Sequence, residues 1–399
     1  MRSYSQKHRN NRNVRRAENV YVNRLLDLRQ IEAVGLDLDH TLAVYDDQAV
    51  NELAFSETCR YLIDDRGYPR SIAQLSYKNS EISRGLVADL QVGALVKLDS
   101  RDRVRRAFRG SEALDAATIA KCYGTRSIAV QGDRYADFDS PFDLPASQLF
   151  VEVVEALSQI ARGRPDYRSV LVEIRQMLDR AHTRGELKRH ILQNPSRFVE
   201  RRAGVVAMIE KLRDAGKKTF LITNSGFRYA TVLIDHVFGP QLPAGSWRSL
   251  FDAVIVHADK PHFFSAAESP SANIEWIERI GACGVWTGGS AADLEQRLGA
   301  GGRSVLFIGD NPAADIVAAA GHGWRTAMVV PELAHQPFSA DGGESNGRAG
   351  DPCSVWGSVF WEDGMPTRFS RIIREYADVW GATVEHILKV PPDHVFGAP

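Results

Sequence analysis

Apolar and polar positions follow three rhythms along the chain. From Asn19, a helical segment is expected at Val22-Asn23-Arg24-Leu25-Leu26-Asp27-Leu28. The short apolar run Ile31-Glu32-Ala33-Val34-Gly35-Leu36 follows, is β-compatible and ends at Asp37. Residues 50–195 read as mainly helical with one hairpin, in which Leu95-Val96-Lys97-Leu98 and Val104-Arg105-Arg106-Ala107-Phe108 flank the turn Asp99-Ser100-Arg101-Asp102. An apolar-rich helix is expected over 145–162, starting just after a proline. A second is expected over 169–183, with Val170, Leu171, Ile174, Leu178 and Ala181 on one face.

From about residue 204, helix and strand alternate. Val205, Met208, Ile209 and Leu212 keep helical spacing, and Gly216 closes that helix. Continuous apolar strands are expected at Thr219-Phe220-Leu221-Ile222, Phe251-Asp252-Ala253-Val254-Ile255-Val256, Ser304-Val305-Leu306-Phe307-Ile308 and Thr326-Ala327-Met328-Val329-Val330, the last after an Ala-rich helix over 313–320. Strands that are apolar throughout and separated by helices predict an α/β fold with a doubly wound parallel sheet. A final helix is expected over 367–388.

Composition sharpens this picture at few points. The chain has 399 residues, enough for two or three domains, and 44% of them are hydrophobic. With 49 Lys+Arg against 50 Asp+Glu, it lacks the basic excess of a dedicated nucleic-acid binder. No run reaches the roughly 18 apolar residues of a membrane span. Cys59, Cys122, Cys283 and Cys353 are scattered without CxxC or Cys/His spacing, which excludes a zinc cluster and a disulfide scaffold and favours a reducing, cytoplasmic setting. Residues 1–18 read as a disordered basic arm, with six Lys/Arg among the first sixteen positions. Residues 336–352 read as a flexible Gly/Ser/Asp-rich loop, and 353–399 as a helical segment packing on the sheet domain. A homo-oligomer is compatible with the sequence, which does not set the oligomeric state.

The expected strands end in polar clusters, where open α/β sheets place their chemistry. Asp37-Leu38-Asp39-His40-Thr41 puts two carboxylates at i and i+2, one suited to nucleophilic attack and one to proton transfer. Thr223-Asn224-Ser225 offers hydroxyls, an amide and backbone N–H groups as a phosphate cradle, or simply a helix cap. Lys260 supplies a point charge for a phosphoryl group. Asp310, with Asp315 five residues on, suits Mg²⁺; Asp315 also fits as a first-turn acid facing a helix dipole. Each cluster has such a bland explanation alone. Their recurrence at equivalent points of one sheet does not.

Asp37-x-Asp39-x-Thr41, Thr223, Lys260 and Asp310…Asp315 resemble, in order, the four motifs of the haloacid dehalogenase superfamily. Longer strings resemble the cytosolic purine 5'-nucleotidase family: Asp37 through Tyr45, Thr223-Asn224-Ser225, Lys260-Pro261-x-Phe263-Phe264, Gly288-Gly289-Ser290 and Gly323-Trp324-Arg325-Thr326. The resemblance implies a catalytic core over 19–49 and 196–335 and a mainly helical cap over 50–195. It implies an Mg²⁺-dependent 5'-nucleotidase acting on purine nucleoside monophosphates, IMP or GMP before AMP, with phosphotransferase activity. Asp37 would be the nucleophile and Asp39 the acid/base. Asp37, the backbone carbonyl of Asp39, Asp310 and Asp315 would make the metal site. In the cap, Phe142 would stack on the base, and Arg175, Asp179, His182 and Lys188 would read it; Arg175, Asp179 and His182 share a helical stripe at i, i+4, i+7. Thr183 and Ala313 stand where the family leads one to expect aromatics. A phosphatase for other small phosphomonoesters, such as sugar phosphates, and an inactive nucleotide-binding module are the rival readings.

Overall fold

The computed structural model describes residues 20–78, 82–130, 132–160, 165–184, 186–239, 241–265, 275–280, 283–336, 338 and 355–397. The basic arm expected over 1–18, most of the loop expected over 336–352, and Cys353 lie outside the described residues. The chain divides into a core unit of 1–45, 199–337 and 372–399, and a cap unit of 46–198 and 338–371.

The core unit is built on a nine-stranded sheet. In chain order its strands are β1 (Tyr21–Val22), β2 (Ala33–Leu36), β3 (Lys218–Ile222), β4 (Ala253–Val256), β5 (Glu275–Ile280), β6 (Cys283–Thr287), β7 (Val305–Gly309), β8 (Arg325–Val329) and β9 (Val379–Gly381). The order across the sheet is β1-β9-β8-β7-β2-β3-β4-β6-β5. Neighbours from β9 to β6 run parallel, and β1 and β5 close the two edges antiparallel. The parallel strands β2, β4 and β7 are buried at every position, which is why they read as unbroken apolar runs. Helices Ala203–Asp214, Phe227–Phe238 and Ala291–Leu298 belong to the crossovers that parallel pairing requires. Gly35 has a packing reason: a Cβ there would fall 2.1 Å from Cε2 of Phe220, so its absence lets that ring lie against β2.

Two expectations about this unit are corrected. The stretch 22–28 is not helical. Tyr21 pairs with Trp380 in the sheet, Leu26–Asp27 pairs with Val395–Phe396, and the Asp27 side chain accepts from the N–H of Arg29 to start a single turn. The expected helix 367–388 is broken into helix Arg368–Tyr376, strand β9 and helix Val384–Leu388. Its breaker is Asp378, 4% exposed, whose carboxylate accepts from Arg24 Nε, Arg325 Nε and the N–H of Thr326. That anchorage holds the following residues extended beside β8.

The cap unit contains the expected hairpin, with Leu95 opposite Phe108 and Val96 opposite Ala107. It belongs to a five-stranded antiparallel sheet ordered Glu112–Ala113, Val104–Arg109, Ala94–Leu98, Leu86–Asp89, Tyr135–Phe138. The cap is mainly helical, as expected, and its sheet extends the single expected hairpin. Leu86–Asp89 is buried throughout and shows no alternation that would mark it as a strand. Helices Asp47–Arg66, Leu144–Ile160, Tyr167–Arg184 and Glu186–Gln193 complete the unit. The side chain of Asp46 accepts from the N–H of Ala49 to cap the first, and Gly67 (φ 71°) ends it.

The C-terminal tract 353–399 does not pack as one piece on the core: 355–371 belongs to the cap. Lys97, 3% exposed in the middle of the cap sheet, explains why. Its ammonium donates to the carbonyls of Trp356 (2.6 Å) and Ser358 (2.7 Å) and to Glu362 Oε2 (2.5 Å). A buried ammonium requires such partners, and the tail segment brings all three. Among the described residues, no helix is long and apolar enough to cross a membrane.

Candidate functional site

Four adjacent parallel strands, β7-β2-β3-β4, end on polar residues at the same edge of the sheet. Asp310 follows β7, Asp37 follows β2, Thr223 follows β3, and Lys260 lies in the loop after β4. The backbone continues the ladder into the site: Asp37 N–H donates to Ile308 O at 2.9 Å, and Thr223 N–H to Ile255 O at 2.9 Å. The chain then turns sharply. His40 (φ 58°), His257 (φ 46°) and Asp259 (φ 59°) all occupy the left-handed region, a costly state that clusters at functional loops.

Lys260 is the hub. Its Nζ lies 2.7 Å from Asp37 Oδ1 and 2.6 Å from Asp315 Oδ1, and all three side chains are buried. Asp315 is held from its other oxygen by the N–H of Asn311 at 3.0 Å. Asp315 sits in a π-helical turn, Pro312–Val317, opened by the Asn311 side chain, which accepts from Ala313 and Ala314. Gly309 makes room for it: a Cβ there would sit 2.5 Å from the Asp315 carboxylate.

Oxygens of Asp37, Asp310 and Asp315 lie within 4.8 Å of one another. Three carboxylates and one ammonium are thus gathered in one buried place. Burial, followed by the charges of Asp315 and Asp39, pushes the Asp37 carboxyl upward, while Lys260 opposes the shift. A hard divalent cation would likewise oppose the shift, and an all-oxygen donor set suits Mg²⁺.

Asp39 faces a different set of partners. Tyr45 donates its phenol to Oδ1 at 2.5 Å, and Ser225 donates its hydroxyl to Oδ2 at 2.8 Å, with Thr223 Oγ1 at 3.4 Å. The Tyr45 and Tyr229 hydroxyls are 3.0 Å apart. Burial pushes both phenols upward, so they remain neutral. Thr223 and Ser225 are thus turned onto Asp39 in this structure. Asn224 instead forms a two-bond clamp with the Lys260 backbone, donating to its carbonyl (3.0 Å) and accepting from its N–H (2.7 Å). The loops after β3 and β4 are fastened together by that clamp. Tyr45 and Tyr229 are not singled out by sequence reasoning. The signal for Tyr45 lies inside the quoted string from Asp37, eight residues on, where an aromatic reads as core.

The cap residues form a second group. Phe142 and His182 meet edge to face at 5.0 Å between ring centroids. Arg175 donates to the carbonyl of Asp137 at 2.6 Å and lies over the Phe138 ring. Its charge also opposes the rise that burial imposes on Asp143, whose carboxyl is pushed up to about 6. Among the described residues, Arg175 Nε and His182 Nε2 are buried without a hydrogen-bond partner. Burial and then the charge of Lys188 hold the imidazole of His182 down at about 4, so it is neutral. Asp179 is exposed.

Residues 20–338 match the 5' nucleotidase family. The chain is similar to "5'-nucleotidase domain-containing protein 2" of Homo sapiens, 30% identical over 334 residues that cover 79% of this chain and 63% of that protein. The Rattus norvegicus protein of the same description is 30% identical over 335 residues, covering 79% of this chain and 59% of that protein. The chain therefore spans about three fifths of these curated relatives. Among solved structures it is similar to a HAD phosphatase from Thermococcus onnurineus, with 13% identity, 75% of this chain and 87% of that chain covered, and a TM-score of 0.31. It is also similar to CbbY from Rhodobacter sphaeroides in complex with phosphate, with 15% identity, 75% and 86% covered, and a TM-score of 0.28.

Proposed function

The chain belongs to the 5' nucleotidase family, and from that membership we propose that it is a cytoplasmic, Mg²⁺-dependent 5'-nucleotidase of purine nucleoside monophosphates, with IMP and GMP preferred. The observation that carries this reading is the convergence of Asp37, Lys260, Asp310 and Asp315 beside an Asp39 held by hydroxyl groups.

In this reading an Asp37 carboxylate oxygen attacks phosphorus. The bond to the 5'-oxygen breaks, and Asp39 gives that oxygen its proton. Water then attacks the aspartyl phosphate and passes a proton to Asp39. Phosphate leaves, and the Asp37 carboxylate is restored. Lys260 holds the phosphoryl oxygens and Asp315 holds Lys260. Magnesium would be held by Asp37, Asp310, Asp315 and the Asp39 carbonyl, and would supply neutralising charge to the phosphoryl oxygens. An added nucleoside in place of water would give phosphotransfer.

Recognition of the purine is assigned to the cap unit. Phe142 offers a stacking face, and base–aromatic stacking is worth about 1–3 kcal/mol. The buried unpartnered nitrogens of Arg175 and His182 are groups that a bound base could satisfy. Arg175 only donates, and an ionised Asp179 only accepts, a polarity that fits a 6-oxo purine and opposes adenine.

The test is phosphate release from a panel of nucleoside monophosphates and p-nitrophenyl phosphate, with and without Mg²⁺. IMP or GMP should be best, and chelator should abolish turnover. Asp37→Asn should reduce release to background in a folded protein. Asp179→Ala should raise KM for IMP more than for p-nitrophenyl phosphate. A preference for AMP, for pyrimidine nucleotides or for sugar phosphates would overturn the assignment of substrate.

A further inference from the structure

Glu57, Glu186 and His190 stand together in the cap unit and take no part in the reaction above. Helix Asp47–Arg66 carries Glu57; helix Glu186–Gln193 carries Glu186 and His190 at i and i+4, on one face. One ligand-capable atom of each residue lies within 4.8 Å of the others.

Glu57 is 5% exposed. Burial pushes its carboxyl upward, and the backbone of Leu187, in the first turn of the second helix, opposes that shift. Among the described residues, neither Oε2 nor His190 Nδ1, both buried, has a hydrogen-bond partner. Two members of a three-residue cluster thus each hold a buried polar atom that none of the described residues satisfies, an expensive arrangement unless a ligand completes it.

We propose that Glu57, Glu186 and His190 bind a divalent transition-metal ion of the Zn²⁺ class. Two carboxylate oxygens and an imidazole nitrogen form a borderline donor set, unlike the all-oxygen set of Asp37, Asp310 and Asp315. Three protein ligands leave the fourth tetrahedral position to water. With bonds of about 2.0–2.2 Å, tetrahedral ligand atoms sit roughly 3.3–3.5 Å apart, so binding draws the cluster inward by about 1 Å. Glu186 has the freedom to supply this movement, since 40% of its side chain is exposed. It pairs with Arg189 three residues on, and the metal substitutes one cationic partner for another.

The test uses the full chain, stripped by chelator and dialysed against Zn²⁺ in excess Mg²⁺, with bound zinc counted and its X-ray absorption edge recorded. One zinc per chain with a single imidazole in its shell is expected. Loss of a direct ligand in Glu57→Gln or His190→Ala should weaken zinc binding by more than the roughly 10–100-fold typical of losing an outer-shell partner. Half-buried His190 is the variant least exposed to a folding defect. Phosphate release is not the readout, because none of the three residues belongs to the aspartate site. Unchanged zinc affinity in both variants, or a zinc shell without imidazole, overturns the proposal.

Discussion

At Asp39, two oxygens of one carboxylate are held by three donors from two segments: Tyr45 from one, Thr223 and Ser225 from the other. The phenol of Tyr45 fixes Oδ1 and is itself braced by Tyr229. A hydrogen bond to a charged group is worth about 1.5–3 kcal/mol. Tyr45→Phe should therefore lower kcat by about 10–100-fold with KM nearly unchanged, since the phenol positions a proton carrier and not the substrate. Steady-state kinetics on IMP decides it: a rise in KM at constant kcat would assign Tyr45 to binding. His182 gives a second expectation at this scale. Its folded-state value of about 4 lies below the ordinary value of about 6.5, so the unfolded chain takes up the proton first as pH falls. The stability this neutral imidazole contributes is present above about pH 6.5 and is lost progressively toward pH 4, by up to about 3 kcal/mol. Urea midpoints across that window should fall more steeply in the wild type than in His182→Phe. Asp37, Lys260 and Asp310 were legible in the sequence because each follows an apolar strand. Tyr45 and Tyr229 were not, because a buried tyrosine reads as core until its hydroxyl finds a carboxylate.

Among the elements, β2, β3, β4, β7 and β8 were legible for the same reason: burial at every position of β2, β4 and β7, and at all but the first of β3 and β8, leaves apolar runs bounded by polar turns. β9, three residues long, left no such mark. β9 sits inside a tract with helical spacing, and only the ion-paired Asp378 interrupts that tract. Cap strand Leu86–Asp89 offers only three apolar residues before Asp89, too short a run to be read as a strand. Lys97 is the exception that could have been used, since a lysine among Leu95, Val96 and Leu98 demands buried acceptors. Removing it tests how firmly the tail completes the cap sheet. Lys97→Met leaves Glu362 with Arg106 as its cationic partner and strands the carbonyls of Trp356 and Ser358. The loss should be about 3–5 kcal/mol, as for breaking a buried pair, measured from denaturant midpoints. A change within 0.5 kcal/mol would mean the tail is held by Trp356 and its neighbours alone.

For the whole molecule, the important fact is that the chain passes between its two units four times, at 45/46, 198/199, 337/338 and 371/372. A protein ending at residue 337 loses β9 from the core sheet and all three acceptors of Lys97 from the cap. It should fail to give a cooperative unfolding transition, whereas one ending at 371 should keep a protease-resistant cap. Equal protease resistance of the two truncations would show that 355–371 is dispensable to the cap. The same threading governs how such a protein can be recombined. A cap of altered base preference cannot be moved between relatives as a single cassette, because the stretch between the first two seams arrives without the partner strip that its buried lysine needs. Any functional chimera must exchange two separate pieces of the gene in concert.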